Sequence, residues 1–221
     1  MRDWRELAAR EESRYRDGEA RVGGPEADRD AYQRQLTRMG NAAAGAALCH
    51  LMLGDRAAAS EWLLRAADRY RQSYDDAPPG SWGRPIGAIK ARILAGDWTG
   101  AERDAGWALE EGAAQTESPI GRYAGALALL VLGRWREARV LADDLRTHEG
   151  FPANVADALA NIAAQDPIGY TEAIESVLAS FEARDEYLED VPVADTVLVL
   201  QALAARRTLE ADLESPLLPA D

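Results

Sequence analysis

Three times between residues 41 and 147 the chain repeats one pattern of small residues, and no other feature restricts its fold as strongly. The first copy runs Gly45-Ala46, Leu53-Gly54-Asp55, Ala59, Ala66. The second runs Gly87-Ala88, Ala95-Gly96-Asp97, Ala101, Ala108. The third runs Gly125-Ala126, Leu132-Gly133-Arg134, Ala138, with Leu145 in the last place. In each copy an Ala stands five residues after the loop Gly, and Trp98 and Trp135 each stand two residues after theirs. Gly83-Arg84 and Gly121-Arg122 correspond as well, four residues before the first Gly of their copies. A Gly at the centre of each unit suits the left-handed backbone that ends a helix. A second helix beginning at once, with Gly and Ala at facing positions, lets two backbones approach closely. The unit is therefore a helix-turn-helix hairpin, and repetition at this period marks a stack of such hairpins.

The rest of the chain agrees with an all-α reading. Ala and Leu are abundant, while Val and Ile do not alternate with polar residues as strands require. Helical periodicity predicts a first helix over 2–21 with Trp4, Leu7, Ala8 and Tyr15 near one face, ended by Gly23-Gly24-Pro25. Pro25 suits the first turn of a second helix carrying Tyr32, Leu36 and Met39. That helix either breaks at Gly40 or runs through it. In the repeats, Leu48, Leu51, Leu63 and Leu64, then Ile86, Ile89, Ile93 and Leu94, then Leu127, Leu130, Val140 and Leu141 are expected to fill the core. Residues 154–164 and 171–184 read as a fourth pair with Thr171 as N-cap, and residues 193–206 as a further helix. The terminal stretch from Leu213, with Pro216 and Pro219, is not expected to be helical; Leu217 and Leu218 are expected to tuck onto the last helices. The expectation is a single domain over 1–221: an N-terminal helical cap (1–40), three repeats (41–147), then a fourth pair, helix and cap (148–221), with nine to eleven helices in all.

The small residues at fixed points of both helices, with the short loop between them, resemble tetratricopeptide-type repeats over residues 41–147. That resemblance implies a tetratricopeptide-like right-handed superhelix of antiparallel helix pairs, whose first helices line a concave surface able to hold a peptide or partner helix. The candidate lining is Leu48, Leu51, Ile86, Lys90, Ile93, Tyr123, Leu127 and Leu130. Three C-terminal stretches, Ala179-Ser180-Phe181, the run Thr196 to Arg206, and Glu214-Ser215-Pro216-Leu217-Leu218-Pro219, are similar to the ending of a helical immunity-protein family of bacterial toxin systems. This second resemblance implies an inhibitor of a partner toxin.

Composition excludes several functions. With 25 basic and 38 acidic residues the net charge is −13, which repels phosphate backbones and anionic headgroups, and no basic run offsets it. Nucleic acid and membrane surfaces are therefore not expected partners. No apolar run reaches the length of a membrane span, and the first residues lack the apolar stretch of a signal peptide, so a cytoplasmic protein is expected. The lone Cys49 rules out an intramolecular disulfide and a cysteine-rich zinc site.

Chemistry-bearing motifs are missing. The two histidines, His50 and His148, form neither His-Glu-x-x-His nor Glu-x-x-His, since Pro152 stands where the second His would be. There is no phosphate-binding Gly-rich loop and no Gly-x-Ser-x-Gly elbow. Cys49 and His50 are neighbours on a helix and point about 100° apart, and both read as structural. The acidic clusters Asp75-Asp76 and Asp185-Glu186 with Glu189-Asp190 read as solvated connectors. No catalytic residue, cofactor or metal is expected, and the chain is not expected to be an enzyme. One segment stands out, Trp82-Gly83-Arg84 followed by Lys90, the only lysine, and Arg92. With Arg122 and Tyr123 at the matching place of the next repeat, the candidate partner-binding residues are Trp82, Arg84, Lys90, Arg122 and Tyr123. Arginine at such positions either pairs with neighbouring acids and helix ends or accepts a partner's carboxylates. Trp82, Trp98 and Trp135 read first as stacking core. The expected function is a scaffold that binds a protein or peptide, with the toxin inhibitor as alternative. An exposed terminal helix pair is a candidate homodimer surface.

Overall fold

The three loop glycines end helices as their sequence predicts. Gly54, Gly96 and Gly133 have φ of +74°, +73° and +70°, a region Gly enters without the Cβ penalty. The hairpins close with the bonds of a Schellman end: Asp55 N–H donates to the His50 carbonyl at 2.9 Å and Arg134 N–H to the Leu129 carbonyl at 2.9 Å. The next helix then starts on a side-chain cap, the Asp55 carboxylate accepting from Ala58 N–H and the Asp97 carboxylate from Gly100 N–H. The third copy has Arg134 in that place and no side-chain cap.

The computed structural model describes residues 3–26 and 28–220. Among them are ten α-helices and one 3-10 turn, with no strand: α1 (Trp4–Arg21), α2 (Arg29–Met52), α3 (Arg56–Gln72), α4 (Gly83–Leu94), α5 (Trp98–Glu110), α6 (Pro119–Val131), α7 (Trp135–Leu145), α8 (Ala153–Ala164), α9 (Pro167–Glu182), the turn at Leu188–Asp190, and α10 (Asp195–Ala205). The chain divides into two compact units, one of residues 1–96, 185–193 and 216–221, the other of residues 97–184 and 194–215.

In the first unit α1 to α4 pack each on the next. Helix α2 passes straight through Gly40, where the Tyr70 ring lies 3.0 Å from the place a Cβ would take. Gly87 faces the other side of that ring at 2.7 Å. These two glycines thus make room for an aromatic ring rather than for a second backbone. Pro25 does not open α2. It lies in a turn, and the helix starts on Asp28, whose carboxylate accepts from Ala31 N–H at 2.9 Å.

In the acidic cluster Asp185, Glu186 and Asp190 are exposed, as a solvated connector requires, but the segment 185–193 is docked through Glu189 and two valines. Val191 and Val193 are buried. Arg14 pairs with the Glu189 carboxylate, and Arg10 donates to the Glu189 carbonyl at 2.5 Å. Both arginines also hold Glu11, which is fully buried. Glu189 and Asp190 both take positive φ, +54° and +55°, a cost this docking must offset.

In the second unit α5 to α9 again pack each on the next, and α10 lies on α8 and α9. Gly125 sits 2.9 Å, measured from a built Cβ, from the backbone of Ala114. Here the small residue does admit backbone, but that of the loop before α6 and not that of the paired helix α7. Trp98 and Trp135 are half-buried, and each carries a guanidinium on its ring: Arg206 over Trp98 and Arg207 over Trp135, both at 4.4 Å. The helix α9 starts on Asp166, not Thr171, because the Asp166 carboxylate accepts from Ile168 and Gly169 N–H. Leu217 and Leu218 are buried, but with the first unit rather than on the last helices.

Candidate functional site

The predicted partner-binding residues divide between the units. Trp82 caps α4 and is buried. Arg84, on the first turn of α4, donates from Nε to Ser73 Oγ at 3.1 Å and from its other end to Gln33 Oε1, and burial holds its guanidinium below the usual arginine value. Lys90 is half-buried and already has a partner. Arg92 reaches Asp68 at 2.6 Å. In the second unit Tyr123 is buried with its ring 5.5 Å from that of Phe151, and Arg122 donates to the Thr116 carbonyl at 2.8 Å and to the Asp144 carboxylate. Of the expected groove lining, Ile93, Leu127 and Leu130 are also buried, because on these helices the small residues let the leucine and isoleucine stripe close onto its neighbours.

Arg122 nonetheless stands in a cleft. It has a volume of about 560 Å³ and lies wholly within the second unit, between the end of α5, the loop after it, α6 and α7. Its apolar surface comes from Leu109, Leu129, Val140 and Leu141. Val140 was expected in the core as one of the apolar residues neighbouring the small ones, yet it is 71% exposed. Single exposed apolar residues are ordinary; this one stands on the wall of a cleft. Two ion pairs frame the apolar surface, Arg122 with Asp144 and Arg134 with Glu137 at 2.5 Å. The hydrogen bonds from Arg134 hold the Glu137 carboxyl below the usual carboxylate range. Arg136 adds a third cation to the lining. Sequence reasoning reached Arg122 but missed Val140 and Arg136. The available signal was the spacing Arg136, Val140, Asp144, which places all three on one face of α7.

Two further chemistry-bearing side chains stand next to each other on α2. Cys49 is fully buried, and burial, helped by Glu11, pushes its thiol up to about 12, the environment of an inert structural cysteine. The neighbouring His50 turns its ring to carboxylates instead: Nε2 lies 2.9 Å from Glu12 Oε1 and Nδ1 lies 4.0 Å from Asp55 Oδ2. Among the described residues no group of three or more His, Cys, Asp and Glu is arranged to hold a metal ion, and no helix is long and apolar enough to cross a membrane. No protein-family model, curated protein or solved structure matches the chain.

Proposed function

We propose that this chain is a protein-interaction scaffold built from tetratricopeptide-like helix pairs, and that its second unit holds a segment of a partner in the cleft of α5, α6 and α7. The observation that carries this reading is Val140, a β-branched side chain held in water beside Leu109, Leu129 and Leu141. Covering it releases apolar surface from water at little conformational cost, the usual source of affinity at a binding site. The lining also favours binding over catalysis. It contains no His, Cys, Ser or Tyr, and both its carboxylates are held by arginines, which leaves no group suited to take or give a proton near neutral pH.

The test is capture of partners from lysate of the protein's own host, with wild type beside Val140→Glu. A stoichiometric partner retained by wild type and lost by the variant, with unchanged melting of both, supports the scaffold. Equal capture by both refutes the assignment of the cleft. The alternative, an inhibitor of a toxin, draws on the net charge of −13, which would steer a basic target toward the chain. A basic nuclease as the captured partner would favour that reading.

A further inference from the structure

If the scaffold reading holds, the walls of the cleft also select the shape and charge of the ligand. Those walls are mostly helices, whose backbone N–H and C=O groups are already bonded within each helix, with Ala114 and Gln115 added by the loop after α5. The polar side chains are mostly engaged too: Arg122 with Thr116 and Asp144, Arg134 with Glu137. An extended peptide laid here would bury roughly one N–H and one C=O per residue against groups that cannot answer them, which is costly. A helix brings its backbone bonds with it.

The cleft is also short. From Arg136 to Asp144 along α7 is about 12 Å at about 1.5 Å per residue, room for roughly two helical turns. Its charge is unbalanced. Asp144 and Glu137 are each neutralised by an arginine, whereas Arg136 is exposed and forms no ion pair among the described residues. The surplus at the contact surface is one positive charge, in a chain whose net charge is −13. Salt screens the distant charges beyond about 8 Å at physiological ionic strength, so the nearby guanidinium governs the contact.

We propose that the occupant is an amphipathic α-helix of a partner protein, about two turns long in the cleft. It sets apolar residues spaced three or four apart on Leu109, Val140 and Leu141. One turn further along it places an acidic side chain against Arg136.

The test uses the full chain and two phage-displayed peptide libraries. One is a helix-favouring 14-residue Ala/Glu/Lys/Gln frame randomised on one face; the other is a randomised octamer closed by proline at both ends, which favours extended forms. Ligands are kept only if Val140→Glu loses them, then synthesised and their Kd measured. The expected winners come from the helical library, gain helical circular dichroism on binding, and fail when proline replaces a residue in the bound turns. Their acidic residue recurs at a fixed offset from the apolar pair, and changing it to Gln weakens binding about tenfold, the usual size of one charge-assisted contact. Arg136→Glu inverts the choice, so that Lys at that offset binds better than Glu. Winners from the extended library, or helical winners indifferent to Arg136→Glu, overturn the inference and leave the scaffold reading standing. No Val140-dependent ligand from either library overturns it as well, while the scaffold reading is judged separately by capture of its natural partner.

Discussion

Gly125→Ala sets two opposed effects of similar size against each other, and the structure says which wins. Alanine is the better helix former by about 1 kcal/mol inside a helix. At Gly106, in α5, nothing lies within 4 Å of the added methyl, so the gain should appear undiminished. At Gly125 the methyl would lie 2.9 Å from both Cα and N of Ala114 and 3.0 Å from the carbonyl carbon of Ala113. Those atoms are backbone and cannot turn aside as a side-chain tip can. Forcing a methyl into such a space costs about 1–3 kcal/mol, and the rigid case belongs at the upper end. The net is a loss of about 2 kcal/mol at Gly125 against a gain of about 1 kcal/mol at Gly106. For a chain of this size a change of about 1 kcal/mol moves Tm by about 2–4 °C. Thermal melting followed by circular dichroism should therefore lower Tm by about 4–8 °C for Gly125→Ala and raise it by about 2–4 °C for Gly106→Ala. Gly87→Ala is a second check, because its neighbour is the Tyr70 ring rather than backbone: it should destabilise alone and be relieved by Tyr70→Leu in the same chain. If Gly125→Ala melts with or above Gly106→Ala, the close packing of Gly125 on the loop at Ala113 and Ala114 is wrong.

Tyr170 is fully buried and its hydroxyl has no hydrogen-bond partner among the described residues; Tyr170→Phe removes an unanswered polar group and should raise stability by about 1 kcal/mol in urea titration, with a lower value counting against it. The thiol of Cys49 is pushed from 9.0 up to about 12 in the folded chain. The unfolded thiol therefore ionises first as pH rises, so the stability it contributes is whole below about pH 9 and falls by up to about 1.4 kcal/mol per pH unit toward pH 12. Urea midpoints should fall less steeply over that range for Cys49→Ala, and parallel slopes would refute the assignment. Replacing Arg14 by Leu frees the Glu189 carboxylate, though Arg10 still holds the Glu189 carbonyl, and leaves the buried Glu11 with Arg10 alone; amide exchange should quicken throughout 185–193, and unchanged protection there would show that the segment is held without the Arg14 ion pairs. Val140→Glu should leave Tm within about 1–2 °C of wild type, since exposed substitutions usually fall within about 0.5 kcal/mol.

What was legible in the sequence was what local chemistry decides. Gly54, Gly96 and Gly133 announced their hairpins because a left-handed helix end leaves few choices of residue. The misplaced starts at Pro25 and Thr171 were also local, but two residues competed for one role: Asp28 and Asp166 won because a carboxylate is a strong acceptor at a helix start. The docking of 185–193 was not legible. Arg10 and Glu189 are 179 positions apart, and a lone run of acids looks the same whether it meets water or arginine.

Val140 marks the boundary between the two kinds of information. The buried face of α7 is Ala138, Ala142 and Leu145, at helical spacing, and Val140, two residues from either alanine, is turned well away from it. Leu145 on the same helix is fully buried, while Val140 is 71% exposed. The difference follows the spacing, since five residues along a helix leave Val140 about 140° around the axis from Leu145. Val140 is apolar surface that folding leaves uncovered. The spacing shows that Val140 leaves the buried face of α7, but only the packed structure shows that it lines a cleft beside Leu109 and Leu141.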